Sequence, residues 1–350
     1  MDISQLLKLT IERAASDLHI IPQYYPTIRV NGDLIQLRTL SIIDNQTSEA
    51  MLLTILNDEH KEKLHVDREL DFGYNFLNHR FRINMYYVKG AVAASFRLIP
   101  EKIKTIEELG LPTILHQFID LKQGFILVTG PTGEGKSTSL ASIINEVNTK
   151  YSKHILTIED PIEYIYPPIK SVISQREIGQ DTHTWTIALK SALREDPDVV
   201  LIGEMRDYET IQAALTIAET GHLVFSTVHT NSAAQTIDRI IDVFPAHQQG
   251  QVKIQLSSVL KAVVTQRLVP NISNDGRLPV CEILLNTSAV ASIIREGKTH
   301  LIDNVIQTSA NEGMIYFEKD LYGLYTQGKI SKDVALAYSI RQAEMKKLVG

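Results

Sequence analysis

The apolar positions of the chain change rhythm near residue 112. At the start, Ile3, Leu6, Leu7 and Ala14 recur at helical spacing, which predicts an amphipathic helix ending near "ASDLH". Short alternating runs follow, "PTIRVNGDLIQL" and "RFRINMYYVKGAVAASFRLI", with Asn31-Gly32 placed for a tight hairpin turn. Residues 47–65, between these runs, read as helical. Together they predict a small α+β domain over residues 1–100.

The stretch "PEKIKTIEELGLP" has prolines at both ends and a charged middle, and predicts a linker over residues 101–112. Beyond it the apolar runs "GFILVTG", "KHILTIED", "DVVLIGE" and "HLVFSTVH" alternate with helical segments. That alternation is the signature of a parallel sheet covered by helices, so residues 113–350 are expected to form an α/β domain. From about residue 245 the pattern reads as mostly helical.

Composition narrows the setting. A length of 350 residues favours two domains over one. Cys281 is the single cysteine, which excludes an intramolecular disulfide and a cysteine-based zinc site and fits a reducing, cytoplasmic compartment. The N-terminus mixes acids and bases and lacks a signal-peptide layout. No apolar run approaches the ~20 residues that span a bilayer, so membrane association is expected only peripherally, through a partner. A net charge of −6 argues against a nucleic-acid partner.

The densest chemistry lies directly after "GFILVTG". Residues Gly130, Pro131, Thr132, Gly133, Glu134, Gly135, Lys136, Ser137 and Thr138 fit the phosphate-binding loop G-x-x-x-x-G-K-[ST] without a mismatch. Glycines let backbone N–H groups converge on an anion. Lysine brings a point charge to the terminal phosphates, and Ser137 is placed to ligate Mg²⁺. ATP and Mg²⁺ are the expected cofactors. Lys136 is expected at the surface, and the Glu134 side chain is expected to turn out of the loop.

"DVVLIGE" is expected to end its apolar strand on Glu204, where a magnesium-side carboxylate belongs. "LTIEDPIE" supplies Glu159, Asp160 and Glu163 at the end of a neighbouring strand, suited to ordering and deprotonating a water. His222 and His229 lie at the two ends of the "LVFSTV" strand, as phosphate or subunit sensors or as structurally satisfied histidines. Arg82, Arg97, Arg194, Arg206 and Arg239 are available for phosphate charge or for ordinary ion pairs.

At this point the motifs resemble a family. "GPTGEGKST", "ILTIEDPIEY", "ALREDPDVVLIGEMRDYETI" and "AETGHLVFSTVHTNSA" look like the Walker A, Asp box, Walker B and His box of the secretion ATPase superfamily. "ASDLHI…PTIRVNGDL", with the later "FRIN", is similar to its PAS-like N-terminal domain. The resemblance implies a RecA-like P-loop ATPase domain after that smaller domain, and a homohexamer. It also implies ATP-driven work on the inner-membrane platform protein of a pilus machine, at its cytoplasmic base.

Carried over by position, Lys136 and Ser137 would hold phosphate and Mg²⁺, and Glu204 would act through magnesium-bound water. Glu163 would be the general base, with Glu159 as the other candidate. Arg82 and Arg97 resemble N-terminal arginines that reach the nucleotide, and His222 and His229 match the His box. Assembly and type II secretion members commonly carry an additional N-terminal region and a four-cysteine motif, and type IV secretion members fit the "ASDLHI" opening less well, so the resemblance favours pilus retraction over these alternatives. A DNA motor and a non-hydrolysing nucleotide switch are the readings from other classes. Three places depart from the family pattern: Glu134, Ser226, and "AVASIIRE", where a family element reads A-I-R-N-L-I-R-E and this chain has Ala291 and Ser292.

Overall fold

In the computed structural model, which describes residues 2–350, the chain divides into two units. The first takes the chain as far as Lys102 together with residues 159–165 and 177–182. The second takes residues 103–158, 166–176 and 183–350.

Three helices of the first unit, α1 (Ile3–Glu12), α2 (Asn45–Leu52) and α3 (Asp58–Asp67), each begin on an Asx side chain. Asp2, Asp44 and Asn57 accept from the N–H groups of Ser4, Thr47 and His60, which have no partner inside a helix. Ala14 lies outside α1, at φ 49°, because the helix has already ended. The expected helical stretch 47–65 is two helices separated by a 3₁₀ turn at Leu53–Ile55 and the cap Asn57.

The strands β1 (Asp17–Ile20), β2 (Thr27–Val30), β3 (Asp33–Gln36), β4 (Glu69–Phe76), β5 (His79–Val88) and β6 (Ala91–Leu98) form an antiparallel sheet in the order β3-β2-β1-β6-β5-β4. Asn31 and Gly32 both have positive φ, as a two-residue hairpin turn demands. Period-two alternation sorts the faces. Ile28, Leu18, Phe96, Ile83 and Phe72 pair in one row across the sheet, and all five are buried. Each such side chain contributes roughly 1.5–3 kcal/mol by leaving water. The adjacent row, on the opposite face, is Gly73, Arg82, Arg97, Asp17 and Arg29.

Gly73 is glycine for a local reason. Its N–H donates to Glu177 Oε1 at 2.8 Å, and Ile162 N–H donates to Oε2 at 3.0 Å. Arg80 completes this fully buried carboxylate. A Cβ on Gly73 would stand 2.2 Å from Arg80 Nη2 and 2.7 Å from Glu177 Oε2. Gly73→Ala is therefore expected to split a buried ion pair and cost about 3 kcal/mol in urea denaturation. A change below about 0.5 kcal/mol would show that the pair tolerates the methyl group.

In the second unit the sheet order is β13-β12-β7-β11-β10-β8-β9, with β7 (Gly124–Thr129), β8 (His154–Glu159), β9 (Val172–Glu177), β10 (Val199–Ile202), β11 (Leu223–Val228), β12 (Leu260–Pro270) and β13 (Arg277–Leu285). Neighbours among β8, β10, β11, β7 and β12 run parallel, while β13 returns antiparallel. Every residue of β7, β10 and β11 is buried, which is why they read as unbroken apolar runs. The helices between strands are α4 (Lys136–Lys150), α5 (Trp185–Ala192), α6 (Tyr208–Glu219), α7 (Ala233–Asp242) and α8 (Ala246–Val259). After β13 come α9 (Ser288–Glu296), α10 (Ile302–Thr308), α11 (Phe317–Thr326), α12 (Lys332–Tyr338) and α13 (Gln342–Val349).

The mostly helical reading after residue 245 is corrected by β12 and β13. Strand β12 starts at Leu260, the residue after α8 ends, with no turn residue between them. A sequence pattern has nothing there to mark the change of period.

Two carboxyls in this part, the fully buried Glu282 and the half-buried Asp320, keep their protons to higher pH than an exposed carboxyl does. Burial pushes Glu282 up from 4.5 to about 7 against the opposing hydrogen bond from Ala233 N–H and the Arg341 charge. Burial pushes Asp320 up to about 6, although it accepts from Cys281 N–H. A carboxyl whose pKa is raised by folding stabilises most below its unfolded pKa, and that contribution is lost as pH rises through the folded value. Glu282→Gln removes this ionisation. Its stability relative to the parent chain should therefore rise between pH 5 and pH 8, by up to about 3 kcal/mol. Urea unfolding at both pH values measures it, and a difference independent of pH would contradict it.

Candidate functional site

Parallel strands β7, β10 and β11 end side by side, with Ile202 level with Ser226 and Ser226 with Leu127. Their C-terminal ends deliver three segments to one place, as open α/β sheets do. The first is the loop from Gly130 to Gly135, which leads into α4. Gly130, Gly133 and Gly135 have φ of 144°, 81° and 78°, conformations that a side chain would strain. Nothing lies within 4 Å of the position a Cβ would take on Gly133, so the loop has open space there. Backbone N–H groups of the loop and the start of α4 suit an anion.

Lys136 is not a surface residue. It is the first residue of α4 and 7% exposed. Its Nζ donates to the carbonyls of Gly130 and Pro131 at 2.8 Å each, and to His229 Nδ1 at 3.4 Å. An ammonium donates only, so Nδ1 is the acceptor in this pair and Nε2 is the nitrogen left to donate. Nε2 lies 3.1 Å from Glu204 Oε1. One imidazole thus joins the phosphate-loop lysine to the carboxylate after β10.

Glu204 also accepts from Arg206 Nε at 2.8 Å and Nη2 at 2.9 Å. Burial alone would raise its pKa. The Arg206 hydrogen bonds and the facing His229 outweigh it, and the pKa is lowered. The carboxylate is charged at neutral pH and suits a divalent cation. Ser137, the second residue of α4, is the hydroxyl that would share that cation.

The phosphate loop is held from outside by β12. Gln266 Nε2 donates to Glu134 O at 2.7 Å, and its Oε1 accepts from Ser139 Oγ at 2.6 Å. Leu268 N–H donates to the Glu134 carboxylate, which turns that side chain onto the strand. Arg277 Nη1 donates to Gly133 O at 3.2 Å. A Cβ on Gly130 would stand 2.3 Å from Gln266 O, so this glycine is required by close approach as well as by φ. Sequence reasoning missed Gln266 and Arg277, because the strands that carry them were read as helix.

His222 is at the opposite end of β11 from His229, on the order of 20 Å away along the strand. Its Nδ1 lies 3.0 Å from both Thr220 Oγ1 and Ile217 O, at the end of α6. Arg194 and Arg239 are exposed. Ser226 is fully buried on β11, and its hydroxyl makes no hydrogen bond.

In the first unit, Glu163 N–H donates to Glu159 Oε2 at 3.2 Å, and Glu159 is 7% exposed. Arg82 Nη1 lies 3.7 Å from Glu163 Oε1, both half-exposed, which makes a weak pair. Arg97 Nε donates to Asp17 Oδ1 at 3.0 Å, and Arg29 Nε lies 3.8 Å from the other oxygen of Asp17.

The loop, the lysine and the sheet order define a P-loop ATPase of RecA-like fold with an accessory N-terminal domain. The chain belongs to the type II/IV secretion system protein family, whose model matches residues 1–342. It is 44% identical over 336 residues to the type IV pilus retractation ATPase PilT of Pseudomonas aeruginosa, covering 96% of this chain and 97% of that one. It is 41% identical over 340 residues to the type IV pilus ATPase PilU of the same organism, covering 97% and 89%. A crystal structure of the pilus retraction motor PilT with bound ADP superposes with a TM-score of 0.91 at 41% identity, covering 99% of both chains. Family membership makes this chain an ATPase that uses ATP and Mg²⁺. Among the described residues no helix is long and apolar enough to cross a membrane.

Proposed function

We propose that this chain is the ATP-hydrolysing motor of type IV pilus retraction. It works as a homohexamer at the cytoplasmic base of the pilus machine, on the inner-membrane platform protein, and withdraws pilin from the fibre. The observation that carries the chemical half is the contact path from Lys136 through His229 to Glu204 at the strand ends. It couples the residue that senses terminal phosphate charge to the carboxylate on the magnesium side. The likeness to PilT over nearly the whole of both chains supports the mechanical half.

In this reading Gly130 to Thr138 cradle the phosphates, and Ser137 and Glu204 hold Mg²⁺ with its water. Glu163 is the general base, while Glu159, buried and bonded to the Glu163 N–H, fixes its backbone. Arg82 and Arg97 supply positive charge to the γ phosphate, and His229 reports its presence. His222, a strand's length from His229, serves a subunit contact. Glu163→Gln is then expected to bind ATP normally and to hydrolyse it at least about 100-fold more slowly, since an amide takes no proton. If Glu159→Gln is the more damaging variant in the same phosphate-release assay, the base is Glu159.

A second reading, a paralogue working beside a main motor, is favoured by Ala291 and Ser292 in "AVASIIRE", where the chain departs from the family element. Steady phosphate release by the purified chain, dependent on Mg²⁺ and independent of DNA, tests the enzymatic half. Deleting the gene in its host tests the rest. Excess surface pili with lost twitching supports retraction, loss of pili means assembly, and wild-type behaviour points to the paralogue.

A further inference from the structure

Glu282 lies on β13, fully buried, outside the nucleotide-side residues described above. A carboxylate is an expensive choice for such a position, because an apolar residue of similar volume avoids the desolvation cost. The polar groups that meet it explain the choice. Its Oε1 accepts from Ala233 N–H at 2.8 Å. Ala233 is the first residue of α7, whose N–H has no partner within the helix. Ser232 already serves another of these donors, accepting from Gln235 N–H at 3.3 Å, so Glu282 is the second cap of the same helix. Its Oε2 makes no hydrogen bond and faces Arg341 Nη1 at 3.7 Å.

Arg341 precedes α13 and is shared by three carboxylates. It donates to Glu318 of α11 at 2.9 Å and to Asp303 of α10, with Glu282 as the third. The Arg341 backbone N–H also donates to Glu318, at 2.8 Å, so the residue is fixed at both ends.

The other end of this connection is the nucleotide side. Ala233 follows His229 by four residues, and the turn between them has little freedom. Thr230 Oγ1 bonds Thr236 Oγ1 at 2.7 Å, Asn231 N–H donates to Gln235 at 3.3 Å, and Asn231 Oδ1 accepts from Arg267 at 3.3 Å. A shift at the start of α7 is therefore passed to His229.

We propose that Glu282 is a positioning residue for His229: by holding Ala233 and facing Arg341, it sets the imidazole between Lys136 and Glu204 and ties it to the C-terminal helices. The hydrolytic arm of this proposal rests on the ATPase reading above; the structural arm does not. The C-terminal helices thereby have a direct mechanical line to the phosphate loop within one subunit.

The test uses the full chain. Glu282→Leu removes the acceptor, and Arg341 keeps Glu318 and Asp303 as partners. Glu282→Gln keeps an acceptor of the same shape. Hydrogen–deuterium exchange of residues 229–235 is measured without nucleotide, alongside steady-state ATP hydrolysis. The leucine variant is expected to exchange about tenfold faster in that segment and to lose about tenfold in kcat, with KM for ATP within about twofold. The glutamine variant should recover most of both. Unchanged exchange in the leucine variant overturns the proposal. So does faster exchange spread evenly along the chain, which means scaffold alone. If the parent chain fails to hydrolyse ATP, the functional reading falls, and the exchange measurement still decides this one.

Discussion

Replacing Lys136 by alanine is expected to abolish ATP hydrolysis and also to loosen the phosphate loop. The two effects have separate origins. At the transition state, negative charge spreads over the transferred phosphoryl oxygens, and an ammonium placed there in a water-poor site is worth a factor of about 10²–10³. In the resting protein the same Nζ closes the loop on itself through the carbonyls of Gly130 and Pro131. Losing two charge-assisted hydrogen bonds from a residue only 7% exposed should cost about 1–2 kcal/mol after water takes their place. Thermal melting should therefore fall modestly while phosphate release at saturating Mg²⁺ and ATP falls to background. A variant that keeps a tenth of the parent turnover would remove Lys136 from the transition state.

Glu204→Gln is expected to be nearly as damaging, with a different signature. Each oxygen of Glu204 receives a donor, Arg206 at both and His229 at one. A glutamine amide turns an N–H₂ toward one of these donors, so the substitution sets donor against donor and also removes the charge that suits a cation. Turnover should drop about 100-fold, with ATP affinity retained and half-maximal activity moved to higher Mg²⁺. Because the carboxylate is held below its ordinary pKa, it stays ionised across the neutral range and contributes no acid limb there. An unchanged Mg²⁺ dependence would place the cation on another side chain.

What the sequence made readable was local. The phosphate loop, the Asn31-Gly32 turn and the runs of β7, β8, β10 and β11 are contiguous signals, each set by a few neighbouring residues. What it hid was set by distant partners. Lys136 looks like a loop residue until the carbonyls behind it and His229, 93 positions away, are brought to it. Gln266 carries no motif; its meaning lies in Glu134 and Ser139, more than 120 residues earlier. His222 and His229 fall in one motif and separate in space, because a strand of six residues stands between them. Glu282 is one acid among many in a list, and becomes distinctive only when burial and Arg341 surround it.

The position of β7 in its sheet has a consequence for how the chain can be divided. β7 is an interior strand, paired with β11 on one side and β12 on the other. A fragment cut back to residue 259 would keep every nucleotide motif and lose β12, leaving the strand beneath the phosphate loop with a raw margin of unpaired N–H and C=O groups. Such a margin recruits whatever strand is nearest, and in a concentrated solution that is the same strand of another copy. A piece that keeps β7 an interior strand therefore runs at least through Leu285, and the residues that cover β13, Phe317 and Leu321 among them, lie further on. The stretch from Leu260 to Leu285 is the selvedge of the fabric, keeping the strands beside it from fraying.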